Sequence, residues 1–207
     1  MALAADLRHA LAQGRKVHYL PPYRGETALQ LSQLLGIVPS MVHDRMSLDL
    51  LFAVAEMREV KSDEELACIE EAFNIGYHMH TTAMRLCRVG RSEHEIAGAV
   101  DGVAMSYGTG VSFATILSQH GEVLHNHDHS GTLESGRLLL CDAGGETVDN
   151  YCSDHTRTYP VSGKFTQKQK DVYNIVLAAH DHVADIVKPH MMYSEIHNAA
   201  YTTLAEG

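Results

Sequence analysis

The run Leu138-Leu139-Leu140-Cys141 leads directly into Asp142 and then into Ala143-Gly144-Gly145, so four apolar residues of strand length deliver a carboxylate into what the pattern marks as interior. An ionised carboxylate there is costly unless something pairs with it. The segment Tyr151-Cys152-Ser153-Asp154-His155-Thr156-Arg157-Thr158 reads as the return strand and supplies a second aspartate. The spacing between Asp142 and Asp154 is even, and a turn near Val148 to Asn150 would place them opposite each other on one sheet face. Two carboxylates so placed repel, and either one keeps its proton or a cation lies between them. For either residue alone, a turn acceptor or a surface charge is the ordinary explanation. Arg157 is a competing partner, because a buried Asp–Arg pair accounts for one carboxylate without a metal, though not readily for both.

Around this hairpin the chain changes grammar near Val60. Residues 1–60 read as short alternating elements: an apolar helix before Gly14, a strand at Val17 to Leu20, a helix from Thr27 stopped at Gly36, and a further helix from Ser47 to Met57. They resemble the tail of an α/β domain and are too few for a core of their own. From residue 61 the pattern is α+β. Ser62 with Glu65, Ser92 with Glu95 and Thr166 with Gln169 each form the hydroxyl and acid-or-amide pairing of a capping box. The first helix shows Leu66, Ile69, Phe73 and Tyr77 at helical spacing, and the third shows Val172, Ile175, Val176, Ala179, Val183 and Ile186 before Pro189. Ser194 starts a fourth. Strands are expected at Ser112 to Leu117, Glu122 to His125, Leu138 to Asp142 and Tyr151 to Pro160.

A second constellation, Leu124-His125-Asn126-His127-Asp128-His129, has three histidines at alternate positions. That spacing suits a zinc site if the segment is extended, but a stretch this rich in Asn, Asp and His ahead of Gly131 is more often a polar turn. His125, at the end of an apolar strand, has the better claim to face a substrate. A formal charge of −10 with no run of Lys and Arg argues against nucleic acid and anionic lipid as partners. The N-terminus has no cationic and apolar leader, and no stretch is long enough to span a bilayer, so a soluble, cytoplasmic protein is expected. The four cysteines lack CxxC spacing and read as reduced, packed thiols, although Cys141 and Cys152 are placed to face each other across the hairpin.

Taken together, Arg58-Glu-Val-Lys-Ser-Asp-Glu-Glu65, Leu124-His125, Leu140-Cys-Asp-Ala-Gly144, Ser153-Asp-His-Thr-Arg-Thr-Tyr-Pro160 and Gly163-Lys-Phe-Thr-Gln-Lys-Gln169 resemble, in order and spacing, the Xaa-Pro aminopeptidase and prolidase branch of the pita-bread metallopeptidases. The resemblance implies the first half of a pita-bread fold in residues 61–207, preceded by the C-terminal part of a creatinase-like N-terminal domain in residues 1–60. It also implies that Asp142 is a terminal metal ligand, that Asp154 bridges two metals, and that His125 meets the substrate near the scissile bond. Two divalent ions are implied, with manganese favoured by oxygen-rich ligation and cobalt, iron or zinc as alternatives. The implied reaction is attack of a metal-bridged hydroxide on the carbonyl before proline, releasing the N-terminal residue from a peptide with proline in second position.

Three departures from the family pattern stand out. The hairpin between the aspartates is one residue longer than in the commonest members, and His125-Asn126 stands where many have His-Tyr. The family's metal-binding histidine and two glutamates belong to the other half of the fold, which leaves this segment with few donors and an expectation of weak metal binding and no activity alone. Apolar surface meant for that half would favour self-association as a homodimer. A non-catalytic peptide- or protein-binding module on the same scaffold is the alternative function, and a creatinase-like hydrolase of a small guanidino compound is a third.

Overall fold

The computed structural model describes residues 2–207. The chain divides into two compact units, Met1–Glu65 and Leu66–Gly207. The first contains α1 (Ala2–Ala12), α2 (Gly25–Leu35), a single 3-10 turn (Pro39–Met41) and α3 (Leu48–Glu59). Helix α2 ends where Gly36 enters the left-handed region at φ +69° and its N–H reaches Ser32 O at 2.9 Å, the geometry in which a residue without Cβ is least strained. Ser47 caps α3 by accepting from Leu50 N at 3.1 Å. The strand expected at Val17 to Leu20 does not form. Its polar groups are met by loops instead, with Tyr19 O accepting from Ser47 N at 3.0 Å and Tyr19 Oη donating to Val42 O at 2.8 Å.

The second unit is α+β. Helix α4 (Asp63–Leu86) opens with the expected capping box, in which Ser62 N donates to Glu65 Oε2 at 2.9 Å and Glu65 N to Ser62 Oγ at 3.2 Å. Three acids in its first turn complement the helix dipole. The buried face, however, is Ala72, Ile75, Gly76, Met79, His80 and Ala83, while Leu66, Phe73 and Tyr77 are exposed. The correction has a steric cause: the helix approaches the sheet so closely that a Cβ on Gly76 would lie 2.7 Å from His155 Nδ1. At that point the inward residue is a glycine, between the larger Ile75 and Met79.

Helix α5 (Glu93–Tyr107) starts at Ser92, but that capping box is absent. Ser92 pairs in a β-bridge with Thr132, and Glu95 turns to Arg91 at 3.2 Å. Strands β1 (Gly110–Val111) and β4 (Gly145–Glu146) form one antiparallel pair; β2 (Ile116–Ser118), β3 (Leu138–Ala143) and β5 (His155–Pro160) form an antiparallel sheet in the order β2-β3-β5. Leu139, Cys141 and Ala143 are fully buried, while Leu138, Leu140 and Asp142 alternate with them on the half-buried face. They meet Ile75, Met79 and Ala83 of α4, Ile96, Val100 and Ala104 of α5, and Leu117 and Tyr159 in one core. Asp142 is thus on the opposite side of the sheet from that core, a correction to the interior position suggested by the apolar run.

Helix α6 (Gln167–Ile186) has its Thr166–Gln169 capping box in full and packs on α7 (Tyr193–Glu206). Ala179 is buried, but Val172 and Val176 are exposed and line an open groove with Leu138, Thr156 and Thr158. Helix α7 begins one residue earlier than Ser194 suggests, because Glu195 Oε2 accepts from Met192 N at 2.8 Å. Among the described residues no helix is long and apolar enough to cross a membrane.

Candidate metal centre

The hairpin after β3 turns at Val148, Asp149 and Asn150, all exposed, with Asn150 at φ +63° and Thr147 N donating to Tyr151 O at 2.9 Å. The register of β3 with β5 pairs Asp142 with Thr156 and Ala143 with His155. Asp154 therefore lies just before β5, diagonal to Asp142 and not directly across from it. Strand alternation still keeps both on one face, because Asp154 and Thr156 share it. The hairpin corrects the expected pairing by one step of two residues.

The two carboxylates interact. Burial pushes the Asp142 carboxyl above the usual carboxylate range, a hydrogen bond with Thr156 pulls it partly back, and the Asp154 carboxylate pushes it up again. Asp142 is half-buried and Asp154 exposed. Asp142 Oδ1 is buried without a hydrogen-bond partner, a state that native structures rarely leave unexplained. Such an acceptor beside a second carboxylate fits a hard cation. Arg157 forms no ion pair with either aspartate among the described residues; its guanidinium donates to Thr156 O at 2.8 Å.

Asp154 is held from both sides. Ser153, fully buried, donates from its N to Gly145 O and accepts from Gly145 N at its Oγ, both at 3.0 Å. On the other side, His80 of α4 reaches His155 O at 2.8 Å and Ala143 O at 3.4 Å through Nε2, and Tyr159 Oη at 2.7 Å through Nδ1. Carbonyl oxygens only accept, so Nε2 carries the proton and Nδ1 accepts from the tyrosine hydroxyl. Burial holds the His80 pKa below the ordinary histidine value, against the upward pull of the two carbonyls, so the ring is neutral. Burial likewise raises the Tyr159 hydroxyl. His155 itself stacks edge-on against Phe73, with ring centroids 5.1 Å apart.

His125 does not sit on a strand. Residues 121–125 form a turn, exposed from Glu122 onward, in which His125 has φ +53°. Asn126 Oδ1 accepts from Asp128 N at 2.9 Å, and Asp128 Oδ1 from Ser130 N at 3.0 Å, so the Asn and Asp side chains curl the backbone as local turns do. His129 Nδ1 faces Leu117 O at 3.0 Å, and its ring packs on His94. Among the described residues no three His, Cys, Asp or Glu side chains converge to hold a metal ion, so neither the histidine trio nor His125 completes a cluster with the aspartates. All four cysteines are free; Cys141 is buried across from Arg157 and Cys152 is exposed across from Glu146, so these two do not face each other.

Sequence reasoning missed His80, Ser153 and Glu93. Glu93 is buried at the start of α5, where its Oε1 accepts from Gln119 N at 2.7 Å and Ser118 Oγ at 3.3 Å. A readable signal for His80 existed: Ala72, Gly76, His80 and Ala83 recur at helical spacing, a line of small residues interrupted by one ring.

Residues 67–207 match the model of metallopeptidase family M24. The chain is 34% identical over 157 residues to Xaa-Pro aminopeptidase of Escherichia coli, covering 74% of this chain and 35% of that protein. Among solved structures, an Escherichia coli aminopeptidase P variant in complex with substrate aligns with a TM-score of 0.78 at 28% identity, covering 98% of this chain and 48% of that one. Prolidase from Pyrococcus furiosus aligns with a TM-score of 0.67 at 27% identity, covering 75% of this chain and 46% of that one. The chain thus spans half or less of the length of these relatives, and its mixed helices and strands follow the pita-bread fold of aminopeptidase P and prolidase.

Proposed function

The chain belongs to metallopeptidase family M24, and from that premise we propose that Asp142 and Asp154 are metal ligands of an Xaa-Pro aminopeptidase, which releases the N-terminal residue of a peptide whose second residue is proline. The observation that carries this reading is the pair itself: two carboxylates on one sheet face, with Asp142 Oδ1 buried and unpartnered. Divalent ions bound there would supply a Lewis acid and lower the pKa of water, and manganese suits the oxygen donors. Asp142 would hold its position through Thr156. Asp154 would be oriented by the anchoring of Ser153 to Gly145. His125, exposed on its turn, is proposed to hydrogen-bond the substrate near the scissile bond.

Two aspartates provide fewer oxygen donors than a divalent ion requires, so the 207-residue chain is proposed to bind metal weakly and to lack hydrolytic activity by itself. The test is hydrolysis of an Xaa-Pro peptide with and without manganese, comparing this chain with one of the relatives' full length. Asp154→Asn in the longer chain should abolish metal-dependent cleavage. Near-normal cleavage by that variant would rule out the assignment, and peptide binding without cleavage by the unaltered longer chain would favour a non-catalytic member of the family.

A further inference from the structure

We infer that His80 is a positioning residue of the metal centre, setting the separation of Asp142 and Asp154 by tying down the carbonyls of Ala143 and His155, the residues that directly follow them. The inference rests on the metal-ligand reading of the two aspartates. The last pair of the β3–β5 ladder is Ala143 with His155, so Asp154 lies outside the strand that begins beside it. Its backbone is steadied at Ser153 by Gly145 and at His155 by the Nε2 proton of His80, 2.8 Å from the carbonyl oxygen. The same proton is shared with Ala143 O at 3.4 Å, which links the end of β3 to the same ring. Tyr159 Oη, 2.7 Å from Nδ1, selects the tautomer that can do this.

An apolar ring could fill the same space with none of these partners. His80 is 6% exposed, and each of its nitrogens faces a group that can complete it. The helix is shaped for the contact, since Gly76, one turn before His80, leaves room for the His155 ring that a Cβ would invade. One imidazole therefore joins α4 to both strands one residue beyond each aspartate. Groups that orient metal ligands without touching the metal commonly change affinity by about 10–100-fold when removed.

The test uses the 207-residue chain, with amide NMR spectra recorded during titration with manganese chloride. In the unaltered protein, paramagnetic broadening should concentrate on the amides at 142–143 and 154–155. His80→Phe, which keeps a ring but removes donor and acceptor, should need about tenfold more manganese for the same broadening. His80→Gln, whose amide can both donate and accept, should recover most of the loss. Val100→Ala, a core truncation in α5, controls for general destabilisation and should leave the midpoint unchanged while lowering the melting temperature. An unchanged midpoint in His80→Phe, or midpoints that simply follow melting temperature across all variants, overturns the positioning role. If His80→Phe does not fold, Tyr159→Phe replaces it; a weakened midpoint supports the role and an unchanged one overturns it. Absence of selective broadening in the unaltered chain defeats the metal-ligand reading, and the inference with it.

Discussion

Asp142 is paired across the β3–β5 ladder with Thr156, and Asp154 lies two residues before Thr156 on the same face. That diagonal leaves the carboxylates near enough to raise the Asp142 pKa, after burial has already done so and Thr156 has offset part of the effect. Between the ordinary and the raised value, the native state binds more protons than the unfolded state. Stability therefore falls as pH rises through that window, and the ionised carboxylate is a net cost at neutral pH. Asp142→Asn should raise the melting temperature of the metal-free chain at pH 7 by about 2 °C, with the gain shrinking as the solution is acidified into the carboxylate range. Thermal melts followed by circular dichroism check this; a lower melting temperature at pH 7 would contradict it.

Gly144 follows the aspartate motif because nothing larger fits. A Cβ there would collide with the carbonyl oxygen of Ser153, and backbone cannot swing aside as a side chain can. Gly144→Ala should destabilise the chain by about 3 kcal/mol or more, at the upper end of overpacking costs. Urea denaturation measures it, and a loss below about 1 kcal/mol would show that the hairpin relaxes more easily than its packing suggests.

Glu93 ties the start of α5 to the segment after β2 through Gln119 N and Ser118 Oγ. Glu93→Ala strands a buried N–H and should cost about 2–3 kcal/mol, whereas Glu93→Gln retains an acceptor and should cost less. Denaturation midpoints of the two variants decide the order, and equal losses would mean that volume rather than hydrogen bonding dominates.

His80 is buried neutral with its pKa depressed, and His155 is depressed as well, first by burial and then by Arg157. Histidines of this kind leave stability intact above the unfolded-state value and remove it as pH falls through the folded-state value, because the unfolded chain takes up protons that the native one refuses. The melting temperature should fall as pH drops from about 6.5, and His80→Gln should make that fall shallower. An identical acid limb in the variant would assign the effect to other groups.

Much of the chain after residue 61 was legible in local chemistry. Ser62 with Glu65 and Thr166 with Gln169 open helices as written, because a capping box is satisfied by residues only three apart. Ser92 with Glu95 obeys the same pattern and fails, since the Ser92 backbone is drawn into a β-bridge with Thr132 and the Glu95 carboxylate pairs with Arg91. Tertiary partners also decided which face of α4 is buried: apolar periodicity favours Phe73 and Tyr77, but close approach to His155 demands Gly76. The two aspartates were visible because strand alternation preserves the face even when register slips by two. His125 escaped as a strand residue because Asn126 and Asp128 bond their own backbone, which local turn chemistry permits and apolar flanks conceal.

The three-stranded sheet has unequal margins. Every residue of β2 is buried, whereas Thr156 and Arg157 of β5 are exposed beside the groove lined by Val172 and Val176. A further strand joining by backbone hydrogen bonding would find the β2 margin closed by burial and the β5 margin the more accessible. A newcomer there would arrive alongside Thr156 and Asp154, which makes the accessible margin of the sheet and the chemistry-bearing margin one and the same.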